Sequence, residues 1–443
     1  MTSPRSPRRP SNGNREGLIR VLIVGAGARE HALTWKALRS PLTTAVYCAP
    51  GNAATAAIAV NTDISATDVD AIARFVNERD IGLTIIGPEA AVAAGLADRL
   101  AGAGRLVFGP TSAAGQIESS KAFAKEMMSR AGVPTPAYWV FRDAAAAKDF
   151  VRGENRAFIV KADGLAKGKG TVVPQDVEET LRGIDQFMVE RSVGKAADSI
   201  LLEERVHGRE VSLMALVDGT RVVPFAPACD YKRAGEGDQG PNTGGMGGYS
   251  PVGFFREADI GTAVRTVFEP VVEALQAAGT PYRGCLYAGL MVDDRSMQVL
   301  EFNARFGDPE AQIVLPRLDS DVIPLMEATA RGDLGAGALD WSARASVGIV
   351  LASQGYPGTY ETGRPIDGLS RLEAGTFAFH GGTSAGPSGY ETAGGRVLTI
   401  VALGDTMAEA RERAYRNVER VHFEGMTFRP DVAKRELEAP VLP

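Results

Sequence analysis

The apolar run Arg20-Val21-Leu22-Ile23-Val24 enters Gly25-Ala26-Gly27-Ala28-Arg29-Glu30-His31, and the following residues 32–38 have helical composition. A short strand, apolar on both faces, that turns through glycines into a helix opens a βα unit. Such a strand commits its region to a sheet covered on both sides. Strand signals at 45–49, 83–86 and 106–108 then alternate with helical stretches at 68–78 and 93–101. The alternation predicts a small parallel sheet wrapped by helices, closing near Gly109-Pro110-Thr111. The glycine turn is not a dinucleotide fingerprint: its third glycine position holds Glu30, an acid that would face a pyrophosphate.

From Ser119 the character changes. A helix is expected at 121–130, then two strands around Ile159 and Val172, joined by the Gly- and Lys-rich stretch 164–170 as a β-hairpin. Further strands are expected at 199–204, 210–217, 221–227, 288–292 and 298–305. The intervening stretch 238–248 reads as too glycine-rich for core. A third block has strand signals at 345–351 and 396–403 and a charged helix at 407–421. At 443 residues the chain exceeds one ordinary core, and two to four domains are expected.

The chemistry concentrates in Glu301-Phe302-Asn303-Ala304-Arg305-Phe306-Gly307-Asp308-Pro309-Glu310. Read as a strand, Glu301, Asn303 and Arg305 share one face and Phe302, Ala304 and Phe306 the other. Alternate side chains lie about 6 to 7 Å apart, close enough for a carboxylate and an amide to share a hard cation. Arg305 would then offer its guanidinium fork to a phosphate. Taken alone, the pattern equally describes an edge strand with one solvated face. The loop 164–170 has glycines that let backbone N–H groups approach phosphate and lysines that add charge, yet it lacks the P-loop pattern and joins two strands. Glu203-Glu204-Arg205-Val206 ends a strand in the manner of a hinge that reads an adenine edge, with Glu210 on the next strand within reach of ribose hydroxyls.

Other classes are disfavoured. A formal net charge of −6 carries no basic footprint for nucleic acid. No apolar stretch approaches the roughly 20 residues of a membrane span. Cys48, Cys229 and Cys285 are isolated, which fits a reducing cytoplasm and offers no disulfide frame or zinc site. His31, His207, His380 and His422 lack metal-ligand spacing and are expected to be structural, with substrate contact as the alternative for His31 beside the glycine turn. Residues 1–19 read as a disordered tail; scarce acids there would suit a transit peptide, but repeated proline spoils its amphipathic helix.

Taken together, Lys121 in SSKAFAK, Lys161 in VKADGLAKGKG, LEERV, Glu210 and EFNARFGDPE resemble the ATP-grasp superfamily. More narrowly, GAGAREHAL, APGNA, IIGPE, FGPT, DYKR, GPNTGGMG, YAGLM and RFGDPE occur in the order seen in the phosphoribosylamine–glycine ligase family, from about Arg20 to Asp431. The resemblance implies a multidomain α/β and α+β chain. A Rossmann-like N-terminal domain (20–120) would precede an ATP-grasp core of two α+β lobes (121–331, with a moving lobe at about 135–210) and a small C-terminal domain (338–440). It implies a cytoplasmic, monomeric ligase of purine synthesis acting on small molecules, with ATP as co-substrate and Mg2+ or Mn2+ as cofactor. Glycine's carboxylate would attack the γ-phosphate to give glycyl phosphate, which the amine of 5-phosphoribosylamine then attacks.

By the same resemblance Glu301 and Asn303 would hold the metal. Lys121, Lys161, Gly164, Gly168, Lys169 and Gly170 would hold phosphates, and Glu203, Val206 and Glu210 adenine and ribose. Arg305, Asp308 and Lys232 would act at the reacting centre. Asp230, Arg233, Asn242, Thr243, Gly244 and Glu310 would position glycine or the amine, and Gly25, Gly27 and Asn52 the phosphoribosyl end. The chain departs from the family pattern at Ala28, Ala54, Ala91, Lys167 and Tyr231; Tyr231 stands where the family has histidine, and Lys167 would add charge to the loop. Acids are missing from 284–292, so the metal would lean on Glu301, Asn303, phosphate and water. A biotin-dependent carboxylase subunit and a formate-using purine enzyme are rival ATP-grasp readings.

Overall fold

Ile19–Gly25 lies at the centre of a five-stranded parallel sheet, between Thr43–Pro50, then Val60–Asn61, on one side and Leu83–Ile86, then Val107–Phe108, on the other. Its alternation divides two cores. Val21 and Ile23 pack with Ala28, Ala32 and Leu33 of the helix Ala28–Ala37, while Leu22 and Val24 pack with Ile72, Ala73 and Val76 of Val69–Glu78. The single helix expected over 93–101 is two, Glu89–Ala93 and Leu96–Ala101, because Gly95 takes the left-handed φ of +81° between them. This computed structural model describes residues 17–438 except 167, 295, 336 and 388. The charge expected from Lys167, and the tail up to residue 16, lie outside the described residues.

Two antiparallel four-stranded sheets follow. The first has the order Tyr138–Phe141, Ile200–Glu203, Ile159–Ala162, Thr171–Val172, and its last two strands form the expected hairpin, with Val160 opposite Val172. The second has the order Val222–Pro224, Arg209–Asp218, Arg283–Val292, Met297–Asn303. Helix Lys121–Ala131 starts against the first sheet because Asp163, just past Ile159–Ala162, serves its N-terminus. The Asp163 carboxylate accepts from Ser120 Oγ (3.0 Å), Ala122 N (2.8 Å) and Ser199 Oγ (2.9 Å).

The last sheet crosses the chain's sequence blocks. Ala345–Ser353 pairs with Arg396–Gly404 on one side and on the other with Gly247–Ser250, which in turn pairs with Cys229–Asp230. The glycine-rich stretch therefore ends in buried strand, contrary to the expectation that it is too glycine-rich for core. The glycines are there because the neighbours are close: a Cβ on Gly247 would meet the Gly348 carbonyl at 2.4 Å, and one on Gly248 the Cys229 carbonyl at 2.4 Å. Phe306 knits the parts together, stacked with Phe108 at 6.0 Å and edge-on to Phe225 at 5.5 Å. Burying one such ring contributes about 2 to 3 kcal/mol. No helix among the described residues is long and apolar enough to cross a membrane.

Candidate active site

A cleft of about 950 Å3 opens between the two antiparallel sheets and reaches the first parallel sheet. Its floor is Met297–Asn303, with Glu301 opposite Gly289 and Asn303 opposite Tyr287. Both side chains face the cleft, and among the described residues neither is engaged in a hydrogen bond or ion pair. Burial would raise the Glu301 carboxyl, but Lys232, Lys161, Lys121 and Arg305 outweigh it and hold the group below its ordinary value. One ionised carboxylate and one free amide oxygen are a hard-oxygen donor pair, and they fit a Mg2+ or Mn2+ ion shared with phosphate and water.

The strand ends at Asn303, so Arg305 does not continue its face as the sequence pattern predicts. The Ala304 N–H leaves the ladder to donate to Glu118 Oε2 at 2.7 Å. That bend carries the Arg305 guanidinium 3.0 Å from Glu118 Oε1 and 3.4 Å from Glu89 Oε2, both acids entering from the region before residue 121. Burial opposes the Arg305 charge, yet these two carboxylates raise its pKa above the ordinary arginine value. Burial pushes the Glu118 carboxyl up, with Arg305 pulling it back.

Three lysines surround the floor. Lys161 Nζ donates to Leu300 O at 3.0 Å and lies 2.7 Å from Glu203 Oε2. Burial lowers the Lys121 ammonium, opposed by Glu301. Lys232 is paired with Glu210 at 2.7 Å; burial works against its charge, but Glu210 and Asp230 raise it well above the ordinary lysine value. Burial pushes the Asp230 carboxyl up to about 7, with Lys232 pulling the other way.

Beyond the floor, Asp308 meets Arg396 (3.3 Å) and Gln312 Nε2 (2.7 Å). Burial would raise the Asp308 carboxyl, but Arg396 and Arg29 keep it below its ordinary value. Glu310 is 3% exposed and lines the cleft; its Oε1 accepts from Ser212 Oγ (2.9 Å) and Tyr287 OH (3.1 Å), which fixes the carboxylate. Thr243 bonds the Lys232 carbonyl through its N–H (2.7 Å) and hydroxyl (2.9 Å), which folds the glycine-rich loop over Lys232. Arg233 and Asn242 face each other across a two-stranded hairpin and also line the cleft. Gly168 takes φ +79° and brings its loop beside Thr243 and Gly244, closing the cleft from the other lobe.

Four expected site residues stand back from this wall. Gly164 packs on Ala196, whose Cα a Cβ would meet at 2.9 Å, and Lys169, like it, is not part of the lining. Gly25 takes φ +126°, and the Glu30 side chain and Pro88 leave no room there for a Cβ. Asn52 spends its amide on Ala26 O and His380 O, both at 2.8 Å, and its Oδ1 on the N–H groups of Ala54 and Thr55, which ties the first sheet to the last. His31 is the partner of that joint: buried, held neutral with its pKa lowered to about 3, it accepts the His380 N–H at 2.9 Å. Gly27, Gly170, Val206 and Glu210 do line the cleft.

Tyr231 is 1% exposed, with the Arg429 and Arg435 guanidiniums 4.6 and 4.8 Å from its ring and its hydroxyl accepting from Ala433 N at 3.0 Å. Its place in the family pattern is thus a packing position. Sequence reasoning missed Lys125, Glu89, Glu118 and Arg396, all of which line the cleft. Lys125 lay in plain view in SSKAFAK, one helical turn after Lys121, and Glu89 in IIGPE. Nothing local marks Glu118, or Arg396 some 90 residues beyond the motif it serves.

Family models of phosphoribosylglycinamide synthetase match in order: the N domain over residues 19–118, the ATP-grasp (A) domain over 119–311 and the C domain over 346–435. A phosphoribosylamine–glycine ligase of Vibrio cholerae is 43% identical over 423 residues, covering 95% of this chain and 99% of that protein. One from Rhizobium meliloti is 40% identical, covering 94% and 98%. The crystal structure of the phosphoribosylamine–glycine ligase of Thermotoga maritima superposes with a TM-score of 0.82 at 31% identity, covering 94% of this chain and 100% of that one. A biotin carboxylase of Campylobacter jejuni shares the fold, with a TM-score of 0.70 at 16% identity over 96% of both chains. The sequence therefore belongs to the phosphoribosylglycinamide synthetase family, a parallel N-terminal sheet and an ATP-grasp core joined to a C-terminal domain.

Proposed function

We propose that the protein is a phosphoribosylamine–glycine ligase, joining glycine to 5-phosphoribosylamine as ATP is split to ADP and phosphate. The observation that carries this reading is the unpartnered oxygen pair of Glu301 and Asn303 facing three lysines across one cleft. Glycine's carboxylate is a poor electrophile at neutral pH. One of its oxygens attacks the γ-phosphorus of ATP, the bond to the β,γ-bridging oxygen breaks, and ADP leaves with glycyl phosphate formed. The phosphoribosylamine nitrogen then attacks the acyl carbon, loses a proton to solvent and expels phosphate. A Mg2+ or Mn2+ ion held by Glu301 and Asn303 supplies charge neutralisation at the phosphate oxygens.

The chain's own side chains do the rest. Lys121 and Lys161 stand where negative charge collects, and the backbone around Gly168 and Gly170 covers the phosphates. Adenine falls to the Glu204–Val206 backbone, since the Glu203 carboxylate is taken up by lysines. Arg305 meets the acyl phosphate, and Asp308 orients the incoming amine. Asp230 receives glycine's ammonium, with Lys232 and Arg233 beside its carboxylate.

ADP release measured with glycine and phosphoribosylamine omitted in turn tests the reaction: both substrates are required, and 18O in the glycine carboxylate appears in the phosphate. ADP release that ignores glycine contradicts it. The raised Asp230 carboxyl adds a pH dependence. Protonated below about 7, Asp230 loses its charge for the ammonium, so the glycine KM rises as pH falls from 8 to 6. Asp230→Asn flattens that slope and raises the KM at pH 8 by about tenfold or more, the worth of a charged hydrogen bond. A slope unchanged in the variant removes Asp230 from the glycine site.

A further inference from the structure

The cleft wall itself carries a buried charged circuit. Lys125 is 2% exposed; its Nζ donates to Thr135 Oγ1 at 2.6 Å and stands 3.1 Å from Glu203 Oε1. The other oxygen of Glu203 lies 2.7 Å from Lys161 Nζ. Thr135 donates its own hydrogen to Val299 O at 2.7 Å, and Lys161 donates to Leu300 O at 3.0 Å. The circuit thus begins and ends on adjacent carbonyls of Met297–Asn303, the strand that carries Glu301. Between them it passes through the helix Lys121–Ala131 and two strands of the other sheet, Ile200–Glu203 and Ile159–Ala162. It is a bridge between the two lobes made of side chains.

Its charge count matters as much as its geometry. One carboxylate faces two ammonium groups, so the group as a whole carries one positive charge. In a dry site a lone Lys161–Glu203 pair would neutralise itself and hold Lys161 on its partner. Lys125 stands beside the second oxygen of Glu203 as an ion pair without a hydrogen bond, and its charge leaves Lys161 with charge to offer outward. The Thr135 anchor fixes Lys125, and through Glu203 it fixes the direction of Lys161 relative to Glu301.

We infer that Lys125 is a positioning residue for the nucleotide, acting through Glu203 to set the aim and net charge of Lys161 toward the polyphosphate. The inference rests on the cleft being a nucleotide site. Titration calorimetry of the full-length protein with the magnesium complex of a non-hydrolysable β,γ-imido ATP analogue tests it. Lys125→Met weakens binding about tenfold or more, the range of a lost charged hydrogen bond, while the glycine KM changes less than twofold. Adding Glu203→Gln to Lys125→Met returns the lone charge of Lys161 and recovers binding to within about threefold of wild type. Lys125→Arg retains most of the affinity, and Thr135→Val, which cuts only the anchor, weakens binding by about threefold and serves if Lys125→Met does not fold. Wild-type affinity in Lys125→Met or in Thr135→Val overturns the inference, as does a double variant that binds no better than the single one. Failure of the wild-type protein to bind the analogue would instead overturn the nucleotide reading.

Discussion

Glu301→Ala should lower ADP release by at least about a thousandfold in the presence of both substrates and magnesium, the scale on which removal of a preorganised charge acts in a dry site. Two features make the effect large. The carboxylate is held ionised against its burial by four cations, and no hydrogen bond or ion pair among the described residues consumes it. It is therefore available for a metal rather than for the fold. The same freedom predicts that the variant stays folded, with far-ultraviolet circular dichroism and melting close to wild type. Raising magnesium or manganese tenfold would restore little, because Asn303 alone is a neutral ligand. Turnover within a few-fold of wild type would remove Glu301 from the metal site.

Arg305→Ala should fail differently. Its guanidinium bridges Glu118, which is buried, and Glu89, so deletion leaves two carboxylates facing each other with only the weaker field of Arg29 to offset them. Breaking a buried pair by removing one partner costs about 3 to 5 kcal/mol, eased here because burial already favours protonation of Glu118. A loss of about 2 to 4 kcal/mol in denaturant unfolding is expected, together with a fall in kcat of about a hundredfold or more and little change in ATP affinity. Glu118→Gln in the same background removes the stranded charge. It should recover most of the stability and none of the turnover, which separates the structural duty of Arg305 from its chemical one. Recovery of both would leave Arg305 with a structural duty alone.

Much of this site was legible because its parts are local. Glu301 and Asn303 are two apart on a strand, and the pleat alone puts them on one face. The glycine turn after Val24 and the hairpin around Lys161 announce themselves through periodicity and turn chemistry. Arg305 shows where such reading stops: its face was lost when Glu118, nearly 190 residues upstream, took the Ala304 N–H from the ladder. Asn52 and Gly25 sit in motifs of the right kind, yet tertiary contacts spend the one on a joint and leave the other no access to the cleft. Gly247 and Gly248 mark close strand packing rather than a loop, a distinction composition does not carry. Arg396 reaches Asp308 only because two strands from residues 229–250 join the C-terminal sheet, a pairing with no trace in sequence order.

A crystal structure with magnesium and a non-hydrolysable ATP analogue bound tests the central claim most directly. The account predicts a cation within about 2.0 to 2.2 Å of a Glu301 oxygen and of the Asn303 amide oxygen, touching the phosphates, with Lys121 and Lys161 alongside. A triphosphate whose metal is held elsewhere, with those two oxygens turned away, would contradict it.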